Sequence, residues 1–348
     1  MKILALDLGK DKMVGCPYDT QTHEHRFDKE PLDRGSLAVV LQAENPDRVV
    51  IEVGSSAGWV GDVVRAHGAE LEVANPTHQA WRWRNVKSKT DRMDALKLAQ
   101  LSATGQLPTV HLPDPRVRQW RALLHYRHHQ VRRRTSIKNR IRSILCAQGL
   151  SMPAGQSAWT KAGLETLRAM ARAWEDVGPE SLWRGALSEE LAQYDQVSAA
   201  IARVEKKLDA LAERDPRVAL LRTIPGVGPR VAEAVVAILD DPHRFRKGKQ
   251  VASYCGLVPR HFQSGTMDRQ GRITGAGDRM LRALLVEVSW MALRSNAWAR
   301  ATFDRVYQGK KGRRKTAIVA VARRLVIRCW AMLRDHTAWS PPARVQAA

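Results

Sequence analysis

The sequence predicts an α/β fold followed by an all-α region. Three observations carry this. The first ~110 of the 348 residues alternate short apolar strands with helices, punctuated by Gly and Pro. The next hundred hold two long stretches of helical periodicity. From about Pro216 the chain is again mostly helical, with a Gly- and Arg-rich middle at Ser264 to Arg282.

In the α/β part, Ile3 to Leu8 reads as a strand that ends at Gly9. Arg48 to Val53 (RVVIEV) reads as a strand covered on both faces, because its apolar run is almost continuous. Ser55 or Ser56 is placed to cap a helix through His67. Glu70 to Ala74 is a further strand, closed by Asn75-Pro76. Thr90 is placed to cap a helix from Asp91 to about Ala103. Pro113 and Pro115 mark the next boundary. From Pro115 to Leu164 there are eleven Lys or Arg and no acid. Leu123, Leu124, Val131, Ile137, Ile141, Ile144 and Leu145 recur there at helical spacing, which predicts a long basic amphipathic helix. A second long helix, about Ser188 to Glu213, presents Leu191, Val197, Ile201, Val204, Leu208 and Leu211. The two together suggest a helical hairpin or coiled-coil arm. The expected division is 1–110, 111–215 and 216–348.

Composition narrows the partners. Lys and Arg number 57 against 35 Asp and Glu, a net charge of +22, and apolar residues make up 44%. That apolar share excludes wholesale disorder. The charge points to an anionic partner, nucleic acid or membrane. No stretch approaches the ~18 apolar residues of a membrane helix, and the apolar start stops at Asp7, too early for a secretory signal. Four cysteines (Cys16, Cys146, Cys255, Cys329) never form a CxxC pair, which fits a reducing cytoplasm. Nucleic acid is therefore the expected partner and a membrane is not.

Four carboxylates form the first chemical constellation. Asp7 lies in the first strand, with Leu6 and Leu8 on the opposite face, and Glu52 lies near the end of the VVIEV strand. A strand acid among apolar residues is costly to bury unless it is paired or binds a cation. Asp91 and Asp94 share a helix face. Singly, the helix acids suit an N-terminus and Asp7 suits a turn. In the order Asp, Glu, Asp, Asp they favour a site for a pair of Mg²⁺ ions, which prefer carboxylate oxygens and stabilise both ends of a phosphoryl transfer. Lys89 and Arg92 flank the helix pair, within reach of a phosphate or in solvent.

Further signals follow along the chain. Leu221 to Leu239 (LRTIPGVGPRVAEAVVAIL) reads as a helix–hairpin–helix, in which Gly226 and Gly228 would let backbone amides approach a DNA phosphate. The alternative is a tight turn between packed helices. In YCGLVPRHFQSGTMDRQGRITGAGDRMLR, Arg269, Arg272, Arg279 and Arg282 could clamp phosphate. Ser264 precedes Gly265 in a polar loop, and on spacing alone this is a turn. His261 is its nearest candidate base. On the basic helix Arg132, Arg133, Arg134, Lys138 and Arg142 form a phosphate-tracking surface. Its histidines (His125, His128, His129) lack partners at zinc-ligand spacing.

Read in order, these residues resemble the DEDD transposases of bacterial insertion sequences, the IS110 and IS1111 elements. The match comprises ALDLGKDK around Asp7, VVIEVGSSAGWV around Glu52, VANPTHQ, and KSKTDRMDALKLAQL around Asp91 and Asp94. It continues in LLRTIPGVGPRVAEAVVAILDDPHRFRKGKQVASYCGLVPRHFQSG and GRITGAGDRMLRALLVE. The resemblance spans nearly the whole chain, and the middle helices match in character only. It implies a RuvC-like ribonuclease-H fold for the first domain, with Asp7, Glu52, Asp91 and Asp94 holding Mg²⁺ or Mn²⁺. It implies a C-terminal transposase domain whose nucleophile, at Ser264, forms a covalent phosphoserine link to DNA. It further implies a bridge RNA that pairs with donor and target DNA, as in other guided systems. It also implies dimers that assemble into a tetramer, working on the bacterial nucleoid. Two positions depart from the family: Gln263 where a second serine is common, and Gly275 where Lys is common. A hydrolytic RuvC-like nuclease is the alternative, and a catalytically silent nucleic-acid-binding protein ranks behind both because all four acids are present.

Overall fold

The computed structural model describes residues 1–76, 78, 90–152 and 155–340. They form two compact units, Met1–Arg118 and Gln119–Ala348.

The first unit is built on a five-stranded sheet. β1 (Lys2–Leu8) and β2 (Lys12–Asp19) are antiparallel, and β3 (Asp28–Pro31) pairs antiparallel with β2. α1 (Arg34–Glu44) leads to β4 (Arg48–Glu52), which lies parallel to β1. α2 (Ala57–His67) leads to β5 (Glu70–Ala74), parallel to β4, and α3 (Asp91–Ala103) follows. The strand order is β3-β2-β1-β4-β5. On one face Ala95, Leu98 and Ala99 of α3 meet Ile3, Ala5 and Val50. On the other, Leu37 and Leu41 of α1 and Val60 and Val64 of α2 meet Leu4, Leu6, Val49 and Ile51. Each such fully buried Leu or Ile contributes about 1.5–3 kcal/mol. Burial on both faces is the reason β4 reads as an unbroken apolar run.

The expected strands at β1, β4 and β5 and the expected helices at α2 and α3 are present within a residue or two. Thr90 caps α3 as expected, its Oγ1 accepting from the Met93 amide at 3.3 Å. Ser56 does not cap α2: it is already in the right-handed helical region and makes no side-chain cap bond. β2, β3 and α1 are additions to the sequence reading. β2 contains Gly15 and Pro17, which mimic a turn. Pro17 is tolerated because its carbonyl faces outward, accepting from Arg26, so its missing N–H also faces away from β1.

The second unit contains α4 (Pro115–Ala147) from Gln119 onward, α5 (Lys161–Met170), α6 (Trp183–Ala212), α7 (Pro216–Arg222), α8 (Pro229–Leu239) and α9 (Gly248–Tyr254). A two-stranded hairpin follows, β6 (Pro259–Ser264) and β7 (Met267–Ile273). α10 (Arg279–Ser295), α11 (Ala297–Tyr307) and α12 (Arg314–Asp335) complete it. No described helix is long and apolar enough to cross a membrane.

α4 and α6 run antiparallel. Ile137, Ile141 and Leu145 share a core with Leu187, Leu191, Val197 and Ile201, closed by Leu167 of α5. Ion pairs Arg127–Glu205 at 2.6 Å and Arg140–Glu190 at 2.9 Å fix the register. α6 starts at Trp183 rather than Ser188, because Leu187 and the partly buried Trp183 already join this core. A second core surrounds α8, which is buried at every position from Ala232 to Leu239. Its terminal carbonyls are satisfied by arginines. Arg121 donates to Ala237 O at 2.7 Å and Ile238 O at 3.1 Å, and Arg244 donates to Leu239 O at 3.0 Å.

Candidate functional site

The register of β1 against β4 runs from Ile3–Arg48 to Leu6–Ile51, so the next two positions are Asp7 and Glu52. Strand side chains alternate. Asp7 therefore continues the face of Ile3 and Ala5, and Glu52 continues that of Val50. That face is the one α3 covers. Adjacent strands lie about 4.8 Å apart, so two half-buried carboxylates share one neighbourhood and favour a positive counter-charge between them. Asp94 is buried one turn before Leu98, on the sheet side of α3. Asp91, at the first position of α3, is exposed and lines a groove with Val14, Phe27, Asp28 and Lys29. Lys29 is held below the usual lysine range chiefly by Lys12 beside it, while Asp91 pulls the other way.

This donor set is all carboxylate, the chemistry a hard divalent cation prefers. Among the described residues, however, no three His, Cys, Asp or Glu side chains close into a group that could hold a metal ion. The fold brings Asp7, Glu52 and Asp94 to one face, with Asp91 at its edge.

The expected polar loop around Ser264 is a β-hairpin. Ser264 ends β6 and pairs with Met267 across a two-residue turn, Gly265-Thr266. Gly265 has φ +57°, and glycine suits the first central position of such a turn. Ser264 is exposed. Alternation puts it on one hairpin face with Phe262, Met267 and Arg269, and puts His261 on the other. His261 is engaged there: Nε2 lies 3.2 Å from Gln270 Nε2, and Nδ1 lies 3.4 Å from Asp268 Oδ1. The hairpin thus separates His261 from Ser264.

The segment Thr223 to Gly228 joins α7 to α8, as a helix–hairpin–helix requires. Gly226 has φ +94°, and a Cβ there would stand 3.2 Å from Ala292 Cα. Its freedom is used for the turn and for close approach to α10. Gly228 caps α8, where a Cβ would meet nothing.

The cations divide into two groups. Arg132 and Arg133 are exposed, and Arg134 is half-buried. Lys138 and Arg142 lie over the Trp159 ring at 4.9 and 5.4 Å. Lys138 is held below the usual lysine range by burial first, then by Arg134 and Arg142. Arg282 donates to Ala276 O and Cys255 O and so organises the loop before α10. Arg279 and Arg272 are exposed. Lys89 lies outside the described residues. Lys315 and Arg323 belong to no sequence motif, yet with Val319 they recur every four residues on one face of α12. They line a groove with Arg272.

A sheet that presents carboxylates from neighbouring strands, joined to a basic helical unit, suits a DNA-processing enzyme, and comparison with known proteins gives the class: a DEDD-type transposase. The profile of a DEDD-type IS110 transposase domain matches residues 4–147, and that of the transposase IS116/IS110/IS902 family matches residues 218–304. The chain is a transposase of this IS110/IS116 family. It is 29% identical to a probable family 20 transposase of Pseudomonas aeruginosa, over 98% of this chain and 100% of that one. It is 28% identical to the transposase for insertion sequence element IS1111A of Coxiella burnetii, over 96% and 90% of the two chains. A pilin gene-inverting protein of Moraxella lacunata is 25% identical over 78% of this chain and 74% of its own.

Proposed function

We propose that this chain exchanges DNA strands using two sets of groups: the acids Asp7, Glu52, Asp91 and Asp94 of the first unit, and Ser264 of the second. The observation that carries the reading is the β1–β4 register, which stands Asp7 beside Glu52 on the face where Asp94 is buried. The mixed sheet supports a RuvC-like fold for residues 1–110. The acids would hold Mg²⁺ or Mn²⁺, which supplies Lewis-acid stabilisation of phosphoryl oxygens. In the covalent step the Ser264 Oγ–phosphorus bond forms as the bond from phosphorus to the sugar oxygen breaks. The serine gives up its proton and the departing sugar hydroxyl gains one.

A bridge RNA pairing with donor and target DNA would choose the sites. The +22 charge supports a protomer that holds several nucleic-acid backbones at once. In this reading residues 111–215 form the basic arm, whose α4–α6 pair joins dimers into a tetramer, and residues 216–348 form the nucleophile domain. The Moraxella relative's name, a gene-inverting protein, fits strand exchange better than simple cutting. One observation favours a second reading, hydrolysis by a RuvC-like nuclease: Ser264 stands exposed, with its nearest histidine on the opposite hairpin face.

A denaturing gel separates the two. Full-length protein is mixed with labelled element-end DNA, Mg²⁺ and RNA from the element's flank. A slow, protease-sensitive DNA band is expected with wild type and not with Ser264→Ala. Nicked DNA with no such band in either protein selects the nuclease. Asp91→Ala should abolish cleavage and leave RNA binding nearly intact. Undiminished cleavage would remove Asp91 from the site.

A further inference from the structure

We propose that the β6–β7 hairpin and α12 together hold one opened-out nucleotide of the DNA strand, its base stacked on Phe262 and its phosphates against Arg272, Lys315 and Arg323. The proposal rests on the reading of Ser264 as the nucleophile for DNA and names the contact beside it.

β7 and α12 bound a groove of about 680 Å³. Its described lining holds Arg272, Lys315 and Arg323 and no carboxylate, and includes the apolar Val319 and Ile273. Three cations without a counter-charge match a phosphodiester backbone. Phe262 adjoins this groove: a Cβ on Gly271 would come within 3.0 Å of its ring, and Gly271 is itself a lining residue. The phenyl group is 46% exposed, and Met267, on the same hairpin face, is 55% exposed. The Arg269 guanidinium stands 5.8 Å from the centre of the Phe262 ring. An exposed aromatic ring among arginines is the arrangement by which proteins stack unpaired bases. The geometry also sets the distance to the chemistry. Phe262 and Ser264 lie two residues apart on one strand face, about 7 Å, a span that a single nucleotide covers. A base seated on Phe262 would put its neighbouring phosphate within reach of the serine.

The test uses the full chain and a gapped element-end DNA duplex with 2-aminopurine in the gap. Binding by wild type should change the 2-aminopurine fluorescence. Phe262→Ala should lose that change and weaken binding about 5- to 150-fold, the size of one lost base stack. Phe262→Trp should retain both, which shows that the loss is not misfolding. Lys315→Gln and Arg323→Gln should keep the signal at saturating protein and reduce the salt slope of binding by about 0.7 each. Ser264→Ala should give the wild-type signal, because the readout precedes chemistry. An unchanged signal in Phe262→Ala overturns the proposal, as does tighter binding of the same sequence made as RNA. A change in oligomeric mass with no change in fluorescence would make this face a protein interface instead. If Ser264→Ala still forms a covalent adduct while the fluorescence behaves as expected, the nucleophile assignment fails and the stacking site stands.

Discussion

A single imidazole ties the basic helix to the loop before α10. His125 Nε2 lies 2.8 Å from Asp278 Oδ2, while Asp278 Oδ1 accepts from the Leu281 amide at 2.7 Å and caps α10. The bond to Asp278 raises the His125 pKa, outweighing burial and the repulsion of Arg121. Burial alone would raise Asp278, but the His125 bond and the Leu281 amide hold it below the usual carboxylate range. A raised histidine stabilises the fold fully below its unfolded value near 6.5, and loses that contribution as pH rises through its folded value. The depressed aspartate stabilises above about 3.9 and loses its contribution as pH falls. His125→Ala should therefore lower Tm more at about pH 6 than at about pH 8.5. The difference should be about 1–3 °C, because the imidazole is half exposed. Equal shifts at both values would show the bond is uncharged. No sequence signal joins these two residues, since contact between distant positions follows from packing alone. Asp7 and Glu52 were legible because each is an acid inside an apolar strand.

At the scale of elements, local chemistry decided what could be read. Thr90 before a helical period marked α3, and the apolar run at 48–53 marked β4. β2 escaped because its Gly15 and Pro17 carry turn chemistry that the sheet accommodates at an outward-facing position. The hairpin at Ser264 escaped because β6 and β7 are exposed along most of their length and show no apolar alternation. The α3 cap offers a direct test. Thr90→Ala should cost about 1 kcal/mol, and Thr90→Ser should restore most of it. If Asp94 works from its buried place, strand cleavage should fall with the alanine variant and recover with the serine. Cleavage that ignores the cap would separate α3 from the catalytic face.

For the molecule as a whole, charge is the dominant fact. A net +22 is unevenly spread, with fifty residues from Pro115 to Leu164 holding eleven Lys or Arg and no acid. Part of that charge is structural, as Arg121 at the end of α8 and Arg127 on Glu205 show. The remainder should reveal itself in salt dependence. If six to ten phosphates are neutralised, affinity for duplex DNA should drop about 10³- to 10⁵-fold between roughly 50 and 200 mM salt. A titration of labelled DNA at stepped ionic strength measures this, and a flat profile would contradict a phosphate-tracking surface. The division into an α/β part and a helical part was legible because short, nearly continuous apolar runs give way to apolar residues recurring every three or four positions. The α4–α6 pair supplies the helical hairpin that was expected.

The antiparallel pairing of α4 with α6 also bears on how the chain is made. α4 is complete at Ala147, whereas Leu187, the first buried residue that α6 adds to the cover of Ile137, Ile141 and Leu145, comes after Leu167 of α5 has already been made. At ribosomal rates of about 5–20 residues per second, the apolar stripe emerges roughly 2–8 s ahead of the α6 side of its cover. Nascent chains on one messenger present identical stripes to each other during that interval. The arginines and lysines flanking each stripe repel their counterparts and act as gatekeepers against aggregation. The same charge thus has a use before the fold is complete, holding sister polypeptides apart on the polysome.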